Sequence, residues 1–180
     1  VQLPRQLIVL GDTREQAKLL FPSHVSVRHP TGETHRHEVH LASKKLDTGD
    51  YALQGFEKAC LIERKGSIRE VSQNCLTSDS SRFEKCLQRL SSECSHPLLL
   101  FEGDIKSLLT PTQHVKNPGH AIDALLLLLA KYRIPFYTFK TRTQDDRRLA
   151  GEYALRALIA GAFNNGGTGN PRGAVAPSLP

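Results

Sequence analysis

At 180 residues the chain is long enough to bury a substantial core and most simply forms one domain. Lys and Arg number 24 against 18 Asp and Glu, a net charge of +6 that suits a polyanionic partner without establishing one. The longest aliphatic run, Ala124 to Ala130, sits between Asp123 and Lys131 and is far too short to cross a bilayer, so no membrane is expected among its partners. Cys60, Cys75, Cys86 and Cys94 form no CxxC pair, which argues against a structural zinc and for reduced thiols inside a cell. No signal peptide stands at the start, and the absent initiator methionine reads as a trimmed or processed end.

In chain order, Leu7 to Leu10 is a short aliphatic run ending at Gly11-Asp12, the pattern of a buried strand that delivers a charge at its C-terminal end. Thr13 to Glu15 then opens a predicted helix to about Phe21, stopped by Pro22. From His24 to Leu46 the chain is polar, with a hairpin turn expected at Pro30-Thr31-Gly32. His35 and His37 share one strand face there and read as solvated histidines rather than metal ligands. Leu46 to Leu53 is a second strand region carrying Thr48-Gly49-Asp50-Tyr51, whose glycine implies tight local backbone. Gln54 to Glu57 turns the chain into a central strand, Ala59 to Lys65.

Ser67 is a plausible N-cap for a helix through about Leu76. A second helix is predicted over Arg82 to Cys94, with Phe83, Cys86, Leu87 and Leu90 on one stripe. Pro97 to Glu102 reads as an apolar strand ending in acid, and Lys106 to Gly119 as a loop. Ala121 to Tyr132 is a leucine-rich helix, apolar on nearly every side, which implies burial between layers or at a subunit contact. Ile134 to Phe139 is a strand with Pro135 near its start or on an edge, and a last helix runs from about Gln144 to Phe163. Residues 164–180 form a Gly/Pro-rich tail expected to be flexible, leaving 1–163 as the folded domain. Strands and helices alternate, so the expected class is α/β with a central mixed β-sheet flanked by helices.

Charge gathers at strand ends. Glu63 and Lys65 alternate onto one face of the central strand and Arg64 onto the other. A strand-end ion pair accounts for Glu63 and Lys65 alone, but Asp12 and Asp50 lie where neighbouring strands would bring them into the same crevice. Carboxylates gathered in one place repel, and a hard cation such as Mg²⁺ relieves the conflict while activating water for phosphodiester hydrolysis.

Asp12-Thr13-Arg14-Glu15, then Gly49-Asp50, then Glu63-Arg64-Lys65 resemble, in that order, the motifs of the nuclease domain of XPF/Mus-type structure-specific DNA endonucleases. Ser81-Arg82-Phe83 with its helix, and Pro97 to Glu102, are similar to the family's arginine-led helix and acid-ended strand. The likeness spans roughly residues 5 to 160. It implies a restriction-endonuclease-like, PD-(D/E)xK fold and cleavage of branched, flapped or forked DNA with Mg²⁺ or Mn²⁺, in repair or recombination. By position it makes Asp12, Glu15, Asp50, Glu63 and Lys65 catalytic, with Asp12, Asp50 and Glu63 on the metal. Arg14, Arg64 and Arg82 would bind DNA or support the site. A homodimer or heterodimer is expected, in the nucleus of a eukaryote or the host cytoplasm of a phage or prokaryote.

Two features depart from the family pattern. Arg69, beside Glu70, stands where an Asp usually follows the Lys by four positions, and the Gly/Pro-rich tail stands where tandem helix-hairpin-helix modules commonly follow. The same residues also fit a Holliday-junction resolvase or an exonuclease, or an inert DNA-binding module that supports an active partner.

Overall fold

The computed structural model describes residues 1–165; residues 166–180, which hold most of the expected tail, lie outside the described residues. Seven strands form one mixed sheet: β1 (Gln6–Gly11), β2 (His24–Arg28), β3 (Thr34–Ser43), β4 (Tyr51–Leu53), β5 (Cys60–Lys65), β6 (His96–Glu102) and β7 (Phe136–Phe139). Their spatial order is β2-β3-β1-β4-β5-β6-β7. β1 runs parallel to β3, β5 to β6 and β6 to β7, while β4 is antiparallel to both its neighbours. The helices are α1 (Ile68–Leu76), α2 (Ser80–Glu93), α3 (Ile105–Leu109), α4 (Pro118–Tyr132) and α5 (Gln144–Asn165). None is long and apolar enough to cross a membrane.

The period-2 alternation of each central strand sends side chains into two cores. Leu7, Val9, Tyr51, Leu53, Ile62 and Leu100 pack beneath α5. Leu10, Ala52, Leu61, Leu99 and Phe101 pack beneath α1, α2 and α4. Strands β4 and β5 are therefore buried on both faces, as their unbroken apolar lettering suggests. The helix stripe on α2 holds for Phe83, Leu87 and Leu90, with Cys86 half-buried beside them. None of the four cysteines is joined in a disulfide.

Three expectations need correction. Residues 13–23 form no helix, because their backbone polar groups are taken by other parts of the chain. The Leu19 N–H donates to the Tyr51 hydroxyl at 2.8 Å, and Arg147 donates to the carbonyls of Ala17 and Lys18 at 3.2 and 2.9 Å. Tertiary partners thus replace the helical ladder. The segment crosses α5 at Gly151, where an added Cβ would lie 2.1 Å from the Leu20 carbonyl oxygen. Gly151→Ala is accordingly expected to lower stability by about 1–3 kcal/mol, read as a drop in the urea midpoint; an unchanged midpoint would refute this account of the crossing.

Part of the 106–119 region is helical. Asp104 caps α3 by accepting from the Ser107 N–H at 2.8 Å, and Pro118 opens α4. His37 is buried rather than solvated, with Nδ1 2.8 Å from the Pro4 carbonyl oxygen. The leucine-rich α4 buries Ala121, Leu125 and Leu129 while Leu126 and Leu127 remain exposed.

Candidate active site

Gly49 sets the site's first residue. It adopts φ +75°, and a Cβ there would come within 3.2 Å of the Ile62 carbonyl oxygen. Only glycine combines that conformation with such a close approach at little cost. Asp50 is then fixed between two strands. Its N–H donates to the Ile62 carbonyl at 2.7 Å, and its carbonyl accepts from the Asp12 N–H at 2.8 Å. Its carboxylate Oδ2 accepts from the Arg64 N–H at 2.7 Å.

Glu63 and Lys65 lie on the β5 face turned toward α2. Both are buried, 7% and 6% exposed. The Lys65 ammonium donates to Glu63 Oε1 at 2.8 Å and to Glu70 Oε1 at 3.2 Å, and lies 4.9 Å from the Phe83 ring centre. The Cys86 thiol, 3.7 Å away, is directed at Glu63 Oε2. Burial opposes the Lys65 charge, but Glu63 and Glu70 outweigh it and hold its pKa above the ordinary lysine value. Asp50 is affected in the opposite sense. Burial, and then the Glu63 carboxylate beside it, push its pKa up to about 7 against the pull of the Arg64 N–H. An Asp50 carboxylate whose charge is opposed by burial and by Glu63 forms, with Glu63, a hard-oxygen donor pair suited to a divalent cation.

Asp12 adjoins this pair through its N–H bond to the Asp50 carbonyl, but its carboxylate is occupied by other donors. It is fully buried and accepts four hydrogen bonds: from the Arg14 N–H and Nε at 2.7 and 2.8 Å, from Arg14 Nη2 at 3.0 Å and from the Leu46 N–H at 2.8 Å. The Arg14 side chain, with these amides, holds its pKa down to about 2. Its oxygens therefore clamp the 44–50 loop to the end of β1. Arg14 also donates to the Leu46 carbonyl at 2.8 Å and feels the charges of Asp50 and Glu63. Among the described residues, no three His, Cys, Asp or Glu side chains gather as an ion-binding group. The cation fit thus rests on Asp50 and Glu63.

Glu15 lies across the sheet from that pair. It accepts from Arg64 Nη1 at 2.9 Å, while Arg64 Nε donates to Glu102 Oε1 at 2.6 Å. All three side chains are almost buried. Arg64 therefore acts on both faces of β5: its N–H orients Asp50, and its guanidinium is fastened between two carboxylates behind. Arg82 is exposed on the first turn of α2, and Arg69 is exposed on α1. Sequence reading passed over three partners. Glu70 is one, and its signal was the Ser67-x-x-Glu70 spacing of a capping box, of which one half forms: the Glu70 N–H donates to Ser67 Oγ at 3.2 Å, while the Glu70 carboxylate accepts from the Gly66 N–H at 2.9 Å. Glu102 was legible as the acid ending an apolar strand, but its bond to Arg64, like the Cys86 contact with Glu63, is set only by tertiary packing.

A mixed sheet with helices on both faces, and with acid, acid and lysine at adjoining strand ends, defines the restriction-endonuclease-like nuclease fold. The chain belongs to the ERCC4 domain family, whose sequence profile matches residues 12–145. The structure is similar to XPF from Aeropyrum pernix, with a TM-score of 0.53 at 16% identity over 89% of this chain and 66% of that one. It is likewise similar to XPF from Aeropyrum pernix in complex with DNA, with a TM-score of 0.51 at 16% identity over 88% of this chain. The chain spans slightly under two thirds of the length of each, 66% and 64%. No curated protein matches it significantly in sequence. The fold is that of an XPF-type nuclease domain.

Proposed function

We propose that this chain is a divalent-metal-dependent endonuclease that hydrolyses phosphodiester bonds in branched, flapped or forked DNA, inside the cell, in repair or recombination. The observation that carries the reading is the convergence of Asp50, Glu63 and Lys65: Lys65 is bonded to Glu63, the Arg64 N–H between them is bonded to Asp50, and the Glu63 carboxylate opposes the Asp50 charge. DNA as the partner is supported by the similar chain from Aeropyrum pernix solved with DNA. Mg²⁺ or Mn²⁺, held by Asp50 and Glu63, would polarise a phosphoryl oxygen and acidify a water molecule. Lys65, kept protonated by its two carboxylate neighbours, serves as a fixed positive charge for the phosphoryl group as negative charge builds there, and not as a proton acceptor. Arg14 secures Asp12 and so the loop that presents Asp50. The back-face ion pairs of Arg64 hold β5 in register with that loop.

The test is cleavage of labelled flap, fork, four-way and linear DNA with Mg²⁺ or Mn²⁺. Branched substrates should be cut endonucleolytically by the wild type, with at least a hundredfold loss in both Asp50→Asn and Lys65→Ala. Ladders from an end would indicate an exonuclease, and paired symmetric nicks in the four-way substrate a resolvase. The burial of Glu63 and Lys65 favours one other reading, a nuclease-fold module that binds DNA beside an active partner without cutting. Equal binding by wild type and variants with no product under any metal would establish that module and end the endonuclease proposal. Exposed Leu126 and Leu127 on α4 offer a homodimer or heterodimer contact.

A further inference from the structure

The helical layer α1 to α4 covers one sheet face only in part. On that same face, beyond β1, alternate residues of β2, and of β3 from Thr34 to His40, are all exposed, while their neighbours Val25, Val27 and Val39 pack under α5. The open face is polar and predominantly basic. Arg5, Arg36 and His24 line a groove of about 730 Å³ with Gln6, Ile8 and Glu38, and exposed Arg28 and His40 flank it. The acid in the groove is engaged, since Glu38 accepts from Gln6 at 3.1 Å and lies 3.7 Å from His40. β1 joins this face to the candidate site. Ile8 and Leu10 point to the same side, and the strand leads through Gly11 to Asp12, whose N–H binds the Asp50 carbonyl.

We infer that the open face of β2, β3 and β1 seats a duplex arm of the DNA whose junction is presented to Asp50 and Glu63. The inference rests on the nuclease reading for its substrate, and on charge complementarity for its occupant. A surface with Arg5, Arg28 and Arg36 against the single carboxylate of Glu38 keeps a net positive charge and matches a phosphate backbone and not an apolar or basic partner. The open stretch of β3 from Thr34 to His40 reaches about 20 Å at about 3.4 Å per residue, which is about six base pairs at about 3.4 Å per step.

The experiment measures fluorescence anisotropy of labelled forked DNA, in EDTA, with duplex arms of about 5 or about 15 base pairs, bracketing that footprint. It compares the wild type, Arg28→Glu/Arg36→Glu, and Arg148→Glu/Arg156→Glu as an equal charge reversal on α5. The wild type should bind the long-armed fork at least tenfold tighter than the short-armed one. The β2–β3 double variant should lose that gain and show a log–log salt slope shallower by about 2. The α5 control should keep both. All substituted side chains are exposed, and circular dichroism serves to check the folding of each protein. Retention of the long-arm gain by the β2–β3 variant, or an equal loss in the α5 control, overturns the inference. Since binding is read without catalysis, the two proposals separate. Loss of the long-arm gain with no cleavage activity leaves the DNA seat standing and removes the endonuclease. Cleavage with an unaltered β2–β3 variant does the reverse.

Discussion

Asp50→Asn is expected to stabilise the fold at pH 8 while eliminating cleavage. The native pKa of Asp50, about 7, lies above its ordinary value of 3.8, so the folded state binds the extra proton between those limits. Stability contributed by the protonated carboxyl is fully present below pH 3.8, declines as pH rises through about 7, and is lost above it. At pH 8 the ionised, half-buried carboxylate beside Glu63 therefore costs up to about 4 kcal/mol, from 1.36 kcal/mol per pH unit of displacement. An asparagine keeps an oxygen for the Arg64 N–H and removes the charge. The variant should melt about 5–10 °C higher than the wild type at pH 8 and nearly the same at pH 4. Adding Mg²⁺ or Mn²⁺ should raise the wild-type melting temperature more at pH 8 than at pH 5, and should leave Asp50→Asn almost unmoved. Identical pH profiles for the two proteins would show that Asp50 is not the strained member of the pair.

Arg64→Ala is expected to be the most destabilising single substitution in the site. Removal of the guanidinium leaves Glu15 and Glu102, 10% and 13% exposed, facing one another without a cation. Breaking one side of such a buried ionic group costs about 3–5 kcal/mol, far more than the intact group contributes. The expected result is a fall in urea midpoint of that size. Arg64→Lys should lie between, because a single ammonium cannot reach both carboxylates with the fork that bonds Nε to Glu102 and Nη1 to Glu15. Glu102→Gln placed in the Arg64→Ala background should recover part of the loss. A full-strength Arg64→Ala protein would mean that the three groups are solvated in solution and do not hold β5.

Much of the site was legible in the letters because β-strand geometry is local. Alternation alone places Glu63 and Lys65 on one face and Arg64 on the other, and the structure has them so. Gly49 signalled tight backbone, and it has the positive φ and the close approach to Ile62 that the residue type implied. Pro135 was expected at the start of a strand or on an edge, and β7 begins one residue later, at the sheet's edge. The helix read into Thr13 to Phe21 failed for a physical reason. Helical lettering states what a segment prefers alone, and Tyr51 and Arg147 gave its backbone better-placed partners from 32 to 130 positions away.

The division of labour between Asp12 and Asp50 was equally out of reach. Each reads as an acid at a strand end, but one accepts four hydrogen bonds while the other accepts one and faces Glu63. Charge type, face and order along the chain follow from the sequence by itself, because they depend on side-chain chemistry and the two-residue repeat of a strand. Which acid is satisfied, which is strained, and which half of the sheet stays uncovered were decided only in three dimensions, where desolvation and distant partners determine the energy of every charge.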